Sequence, residues 1–129
     1  MTVSETTIQA RILAEIGALP WLRIWRNNTG QAWTGNKVEK IRSHATVQVG
    51  PGDVVIRRAH PIRFGIPGSA DLTGIVNPTG QRLDIEVKTP TGRQSENQKN
   101  YQKMVETMGG IYILARSETT IREQILSRF

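Results

Sequence analysis

The chain reads as an α/β domain: a mixed sheet with helices on both faces, in the order αβββαβ, with a hairpin insertion and a closing helix. Three observations predict this. Along Arg82–Lys88, Leu83, Ile85 and Val87 face one way and Asp84, Glu86 and Lys88 the other, which is the period of a strand. Residues 4–19 and 95–108 carry apolar side chains at helical spacing. The second of these helices stands between the 82–88 strand and another apolar run, Ile111–Ala115. A strand, a helix and a strand in that order predict a right-handed crossover to a parallel neighbour.

The elements follow in order. In the first helix Ile8, Ile12, Ile16 and Leu19 form the stripe. Thr2-Val3-Ser4-Glu5 fits a capping box, and Leu19-Pro20 marks the end. At about 100° per residue, Glu5 falls near the middle of the stripe and Glu15 at its edge. Trp21–Asn27 reads as the first strand. The short link Ala18-Leu19-Pro20 turns it back antiparallel to the helix. Residues 31–62 form an insertion. Within it Ala45–Val49 and Val54–Arg58 are β-like runs joined by Gly50-Pro51-Gly52-Asp53, which predicts a hairpin.

Ala70–Val76 reads as a strand, and Asn77-Pro78-Thr79-Gly80 turns it into the 82–88 strand. The helix over Ser95–Met108 presents Tyr101, Met104, Val105 and Met108 at i, i+3, i+4, i+7. Ser95-Glu96-Asn97-Gln98 fits a capping box, and Gly109-Gly110 stops the helix. Ile111–Ala115 is a buried strand by its composition. Thr120-Ile121-Arg122-Glu123 opens a last helix with Ile121, Ile125 and Phe129 on one face.

With 129 residues there is room for one domain, 1–129, and one modest core, which a hydrophobic fraction of 37% can fill. Lys and Arg number 17 against 11 Asp and Glu, and the resulting +6 favours an anionic partner, nucleic acid first. A basic balance is also common among small soluble proteins. With no cysteine, disulfides and thiolate zinc sites are excluded. No apolar run approaches the roughly 20 residues of a membrane span. The start has no basic region followed by an apolar stretch, so a cytoplasmic location is expected. His44 and His60 lack metal-ligand spacing and read as structural.

The chemistry gathers at the 70–88 hairpin. The hairpin lets Asp71 project close to Glu86. Two carboxylates at one point repel unless a divalent cation sits between them. Mg²⁺ suits such a place, because it takes carboxylate and water oxygens and uses phosphate oxygens as further ligands. Lys88, about 7 Å along the strand from Glu86, is placed to orient or deprotonate an attacking water.

This arrangement resembles the PD-(D/E)XK nuclease superfamily, with Asp71 as the aspartate and Glu86-Val87-Lys88 as the E-x-K. It is most similar to the virus-type replication-repair nuclease (VRR-NUC) family. The phrases that carry the likeness are Arg26-Asn27-Asn28-Thr29-Gly30, Gly65-Ile66-Pro67-Gly68-Ser69-Ala70-Asp71, Glu86-Val87-Lys88-Thr89-Pro90-Thr91-Gly92-Arg93, Gln98, and Gly109-Gly110-Ile111-Tyr112. Only about residues 31–62 lie outside it. The Pro-Asp dipeptide is absent, since the proline is Pro67.

The resemblance implies the PD-(D/E)XK (restriction-endonuclease-like) core and a catalytic set of Asp71, Glu86, Lys88, Glu5 and Gln98. It implies Mg²⁺ or Mn²⁺ as cofactor, held by Asp71, Glu86 and the Val87 backbone carbonyl, with Glu5 adding to the shell directly or through water. Length favours Glu5 over Glu15. A fifteen-residue helix and a seven-residue strand each span about 22 Å, so the end of the first strand returns to the level of Glu5. Glu5 also has the capping-box reading, and so has Gln98. Arg26, Asn28 and Arg93 are candidate phosphate contacts, with a surface charge as the plain alternative for Arg26. Arg57 and Arg58 at the end of the predicted hairpin join them as DNA-binding candidates. Trp33 reads equally as a stacking side chain or as part of a solvated insertion.

The implied activity is structure-selective hydrolysis of DNA phosphodiesters in branched DNA such as four-way (Holliday) junctions, by a homodimer of the kind viruses encode. Two rivals stand beside it. One is a sequence-specific restriction-type endonuclease on the same core. The other is a non-catalytic basic nucleic-acid-binding module in which Glu86 and Lys88 are only an ion pair.

Overall fold

The computed structural model describes residues 2–27, 30–31 and 37–129. Helix α1 (Glu5–Ile16) begins where Ser4 accepts the Thr7 N–H at 3.2 Å, and it buries Ile8, Ile12 and Ile16 at four-residue spacing. The cap is therefore Ser4 alone. Thr7 occupies the third helical position, and its short side chain bonds the Ser4 hydroxyl at 2.9 Å. Glu5 shares the angular direction of the isoleucines but lies at the first helical position and is exposed. Angle alone does not bury a side chain; a neighbour must stand in front of it.

Strand β1 (Leu22–Arg26) runs back along α1. A short β2 (Gly30–Gln31) pairs antiparallel with β3 (Arg63–Phe64). Then come β4 (Leu72–Val76), β5 (Gln81–Val87), α2 (Glu96–Thr107), β6 (Ile111–Ala115) and α3 (Ile121–Leu126). The main sheet has the order β1-β4-β5-β6. Its first three strands pair antiparallel, and β5 and β6 pair parallel through α2. The αβββαβ order of this sheet is the one expected. No helix among the described residues is long and apolar enough to cross a membrane.

The predicted hairpin over 45–58 is not formed. Residues 37–62 carry no strand, although the turn between the two runs is made, with Asp53 N–H on Gly50 O at 3.1 Å and Gly50 N–H on Asp53 Oδ2 at 2.8 Å. Val47, Val49, Val54 and Ile56 stay exposed. Alternation predicts a strand only where another layer covers its apolar face, and an isolated two-stranded hairpin is marginal in water. The β2–β3 pair instead joins the two ends of the insertion.

The core is two-sided. On one face Leu83, Ile85 and Val87 pack with Ile8, Ile12 and Ile16 of α1, with Ile111 and Ile113 of β6, and with Ile121 and Ile125 of α3. Burial of each such side chain contributes about 1.5–3 kcal/mol. Arg122 ties α3 to α1 through Glu15, Nε to Oε1 at 2.9 Å. Glu15 is thus committed to this surface pair. Phe129 lies beyond α3 and meets Trp21 edge-on at 6.1 Å.

On the other face Ala70, Tyr101, Val105 and Tyr112 form a second, smaller cluster beneath α2. The polar face of β5 is therefore covered too, so Asp84 is 0% and Glu86 3% exposed. The helix stripe is only half used, since Met104 and Met108 are exposed.

Candidate active site

The carboxylates meet at the point where β4 begins and β5 ends. Leu72 lies opposite Ile85, so the next pair outward is Asp71 with Glu86. Here the backbone ladder gives way to a side chain: Asp71 Oδ2 accepts the Val87 N–H at 2.8 Å. The other side of Asp71 is held from β1, where Asn27 N–H donates to Asp71 O at 2.9 Å and Asn27 Nδ2 to Ala70 O at 3.3 Å. The N–H and C=O of a strand residue share one edge, so the Val87 carbonyl faces the same side as the N–H that Asp71 accepts.

Glu86 is enclosed. Its Oε1 accepts Gln98 Nε2 at 2.8 Å and lies 3.8 Å from Lys88 Nζ. Its Oε2 is buried with no hydrogen-bond partner. Burial pushes the Glu86 carboxyl up to about 8, and the Asp71 carboxylate beside it pushes the same way. The Lys88 charge pulls it back. A smaller push comes from Glu5, whose charge is thus felt at Glu86 from the start of α1.

Gln98 performs both tasks that its position allows. Its N–H donates to Ser95 Oγ at 3.2 Å, and its Oε1 accepts the Ser95 N–H at 2.8 Å, completing the capping box. One Nε2 proton is donated to Glu86. The loop before β4 fixes this helix end. Gly68 has φ +82°, and a methyl group there would overlap the Asn97 carbonyl and come within 2.7 Å of Gln98 N. The glycine serves both a left-handed turn and a close approach to α2.

Deeper along the same face, Asp84 accepts Tyr101 Oη at 2.6 Å and Arg82 Nε at 3.0 Å. Burial, then the bond to Asp84, pushes the Tyr101 hydroxyl up to about 12. This network fastens α2 to β5. Tyr112 lies opposite Asp84 and accepts Gln94 Nε2 at 3.2 Å. Burial raises its hydroxyl to about 12, with the charges of Glu86, Asp71 and Asp84 adding, so it stays neutral. Alternation already put Asp84 beside Glu86, and Tyr101 was on the inward stripe. Their contact needed the position of α2.

The remaining candidates divide. Arg26 is exposed opposite Leu72, one residue from the level of Asp71. Arg93 is exposed on the loop that leaves β5. Arg57 and Arg58 are exposed in the strandless stretch. Among the described residues they make no ion pair or hydrogen bond with the carboxylate cluster. Asn28 and Trp33 lie outside the described residues. An open groove of about 680 Å³ runs from Asn27 and Ser69 past Tyr101, Met104 and Met108 to Gly80 and Arg82, and Asp71, Glu86, Lys88 and Gln98 do not line it.

Asp71, Glu86 and a main-chain carbonyl are oxygen donors, of the kind that hard divalent cations take. No group of three or more His, Cys, Asp or Glu capable of holding an ion occurs among the described residues. Mg²⁺ binds through one or two carboxylates and keeps several waters, and two carboxylates, Asp71 and Glu86, lie together here. The raised Glu86 value comes first from burial and then from Asp71, and the unpartnered Oε2 belongs to the same enclosure, which disfavours the charged form.

Comparison of the chain with protein-family models, with curated proteins and with solved structures returned no match.

Proposed function

We propose that this protein is a divalent-metal-dependent DNA endonuclease of the PD-(D/E)XK type, akin to the VRR-NUC family and selective for branched DNA such as four-way junctions. One observation carries the reading. Gln98 and Lys88 meet the buried Glu86 carboxyl at Oε1 with Asp71 beside it, and its other oxygen, Oε2, is buried with no hydrogen-bond partner. A non-catalytic basic module accounts for the Glu86–Lys88 ion pair but leaves that oxygen unexplained.

Asp71 and Glu86, with the Val87 carbonyl, would hold Mg²⁺ or Mn²⁺. The ion, when bound, supplies Lewis-acid activation of water and stabilises charge on the phosphoryl oxygens. The chain does the rest. Asp71 is fixed by the Val87 N–H, so one oxygen remains for the ligand. Gln98 orients Glu86 through Oε1. Lys88 sets a cation beside the reacting water and the phosphate. Glu5, exposed at the helix start, adds to the outer shell. Arg26 and Arg93 bind flanking phosphates, and a cytoplasmic homodimer supplies two sites for two cuts.

The test is cleavage of linear, flapped and four-way DNA, with and without Mg²⁺. Mg²⁺ or Mn²⁺ should support cutting, while Ca²⁺ should support binding with little turnover, because its larger shell places water and phosphate less well. Lys88→Ala and Glu86→Gln should each lower the rate by about 10²–10³-fold or more. Both should bind DNA within a few-fold of wild type, since affinity rests on phosphate contacts. Asp71→Asn should lose Mg²⁺ binding by calorimetry. Cutting by Lys88→Ala or Glu86→Gln at the wild-type rate, or unchanged Mg²⁺ binding in Asp71→Asn, would falsify the assignment.

A further inference from the structure

The parallel register that sets Val87 against Ala115 makes Lys88 and Arg116 the next pair, and Lys88 N–H donates to Ala115 O at 2.9 Å. Two cations at neighbouring strand ends repel. The guanidinium is turned elsewhere. Arg116 Nη1 donates to Thr89 O at 2.6 Å and to Gly92 O at 2.7 Å. Both carbonyls belong to one tight turn, which Gly92 N–H closes on Thr89 O and Thr89 Oγ1, each at 3.1 Å. That turn lies against the lysine. A methyl group on Gly92 would stand 3.4 Å from Lys88 Cδ and 3.1 Å from Thr89 Oγ1. The Lys88 side chain is accordingly only 13% exposed, whereas that of Lys99 on α2 is 58% exposed.

We infer that Arg116 is a positioning residue for Lys88: it clamps the Thr89–Gly92 turn over the lysine stem and so holds Nζ beside Glu86. A lysine stem has four rotatable carbons and no geometric preference of its own. The turn supplies that restraint, and Arg116 supplies the turn's fixity through two charge-assisted bonds. The catalytic consequence rests on the nuclease reading; the restraint itself does not.

The experiment therefore has two arms on purified, folded protein. In the first, surface amines are acetylated with an N-hydroxysuccinimide ester and each lysine is followed by peptide mass spectrometry. Lys88 should react more slowly than Lys99 and Lys103 in the wild type. In Arg116→Ala it should react about tenfold faster, as the local restraint opens, with Lys99 and Lys103 unchanged. Arg116→Lys, which can still donate to both carbonyls, should restore slow labelling. In the second arm, Arg116→Ala should lower kcat about 100-fold with KM within about twofold. Arg116→Gln, with a single shorter donor, should fall between and serves if the alanine variant does not fold. Wild-type labelling of Lys88 in the weakened variants overturns the clamp. Faster labelling with unchanged kcat overturns its positioning role. If the wild type cuts no DNA while labelling behaves as stated, the nuclease reading fails and the clamp stands.

Discussion

Gln98 donates Nε2 to Glu86 Oε1 at 2.8 Å while its own Oε1 accepts the Ser95 N–H at 2.8 Å, so one amide both caps α2 and touches the buried carboxylate. Only a side chain with a donor and an acceptor at one end can do both. Gln98→Glu should separate the roles. Glutamate serves a capping box as well as glutamine, so the α2 cap should be kept, while the like charge against Glu86 lowers thermal stability by an amount that shrinks as Glu86 protonates. The donor to Glu86 is lost and a further carboxylate arrives, so cleavage should fall at least about tenfold. Gln98→Ala should lose both, with about 1 kcal/mol of helix capping. Wild-type cleavage by Gln98→Glu would remove Gln98 from the site.

The Glu86 carboxyl makes stability depend on pH. Its folded value, about 8, stands above the ordinary 4.5, because burial and then Asp71 disfavour the charged form. The folded state thus holds the proton more tightly. That contribution is full below about pH 4.5 and is lost as pH rises through about 8. Melting temperatures measured in chelator should fall across this window, and Glu86→Gln should flatten the profile. Mg²⁺ needs the ionised carboxylate, so its stabilisation should grow over the same window. A flat profile in the metal-free wild type would exclude this titration.

Gly68→Ala tests the loop that meets α2. The residue has φ +82°, and the added methyl meets backbone of Asn97 and Gln98 rather than a movable side chain. Destabilisation by more than about 1 kcal/mol in urea is expected, with loss of cleavage as Gln98 shifts. A variant as stable and active as the wild type would mean that the loop does not fix this helix end.

Oligomeric state is tested by light scattering. Val47, Val49, Val54 and Ile56 are exposed on a stretch without strands, and the proposed two-fold dimer should cover part of it. Val54→Asp with Ile56→Asp should then shift a dimer toward monomer and weaken paired cutting of four-way DNA. A strict monomer at micromolar concentration, free and on DNA, that nicks flaps and ignores four-way junctions removes the junction reading while leaving the nuclease chemistry.

How much was legible in the sequence follows a physical line. Period-2 alternation over 82–88 and the turn at 77–80 specify the β4–β5 hairpin, and its register brings Asp71 to Glu86. Gln98 was legible because a capping box and an inward stripe share one helical direction. The alternating run at 45–58 misled, since alternation describes what a strand would bury, and among the described residues no layer covers it. Glu5 misled in part: its angle was right, but its position at the helix end leaves it exposed. Arg116 was not legible, because its contacts depend on the parallel pairing of β5 with β6. The Asp84–Tyr101 bond likewise depends on where α2 lands.

The β2–β3 pair has a consequence for how the chain tolerates change. Apart from Glu5, the proposed catalytic residues lie within Asp71–Gln98, and the contacts that hold them, from Asn27, Val87, Gln98 and Ala115, all lie outside the stretch between Gln31 and Arg63. The stretch between Gln31 and Arg63 leaves and re-enters through a two-residue ladder. Its closure entropy grows only logarithmically, about 0.6 kcal/mol for each doubling of length. Residues 37–62 are therefore a place where residues can be added, removed or exchanged for a foreign module while the hairpin at Asp71 and Glu86 keeps its register.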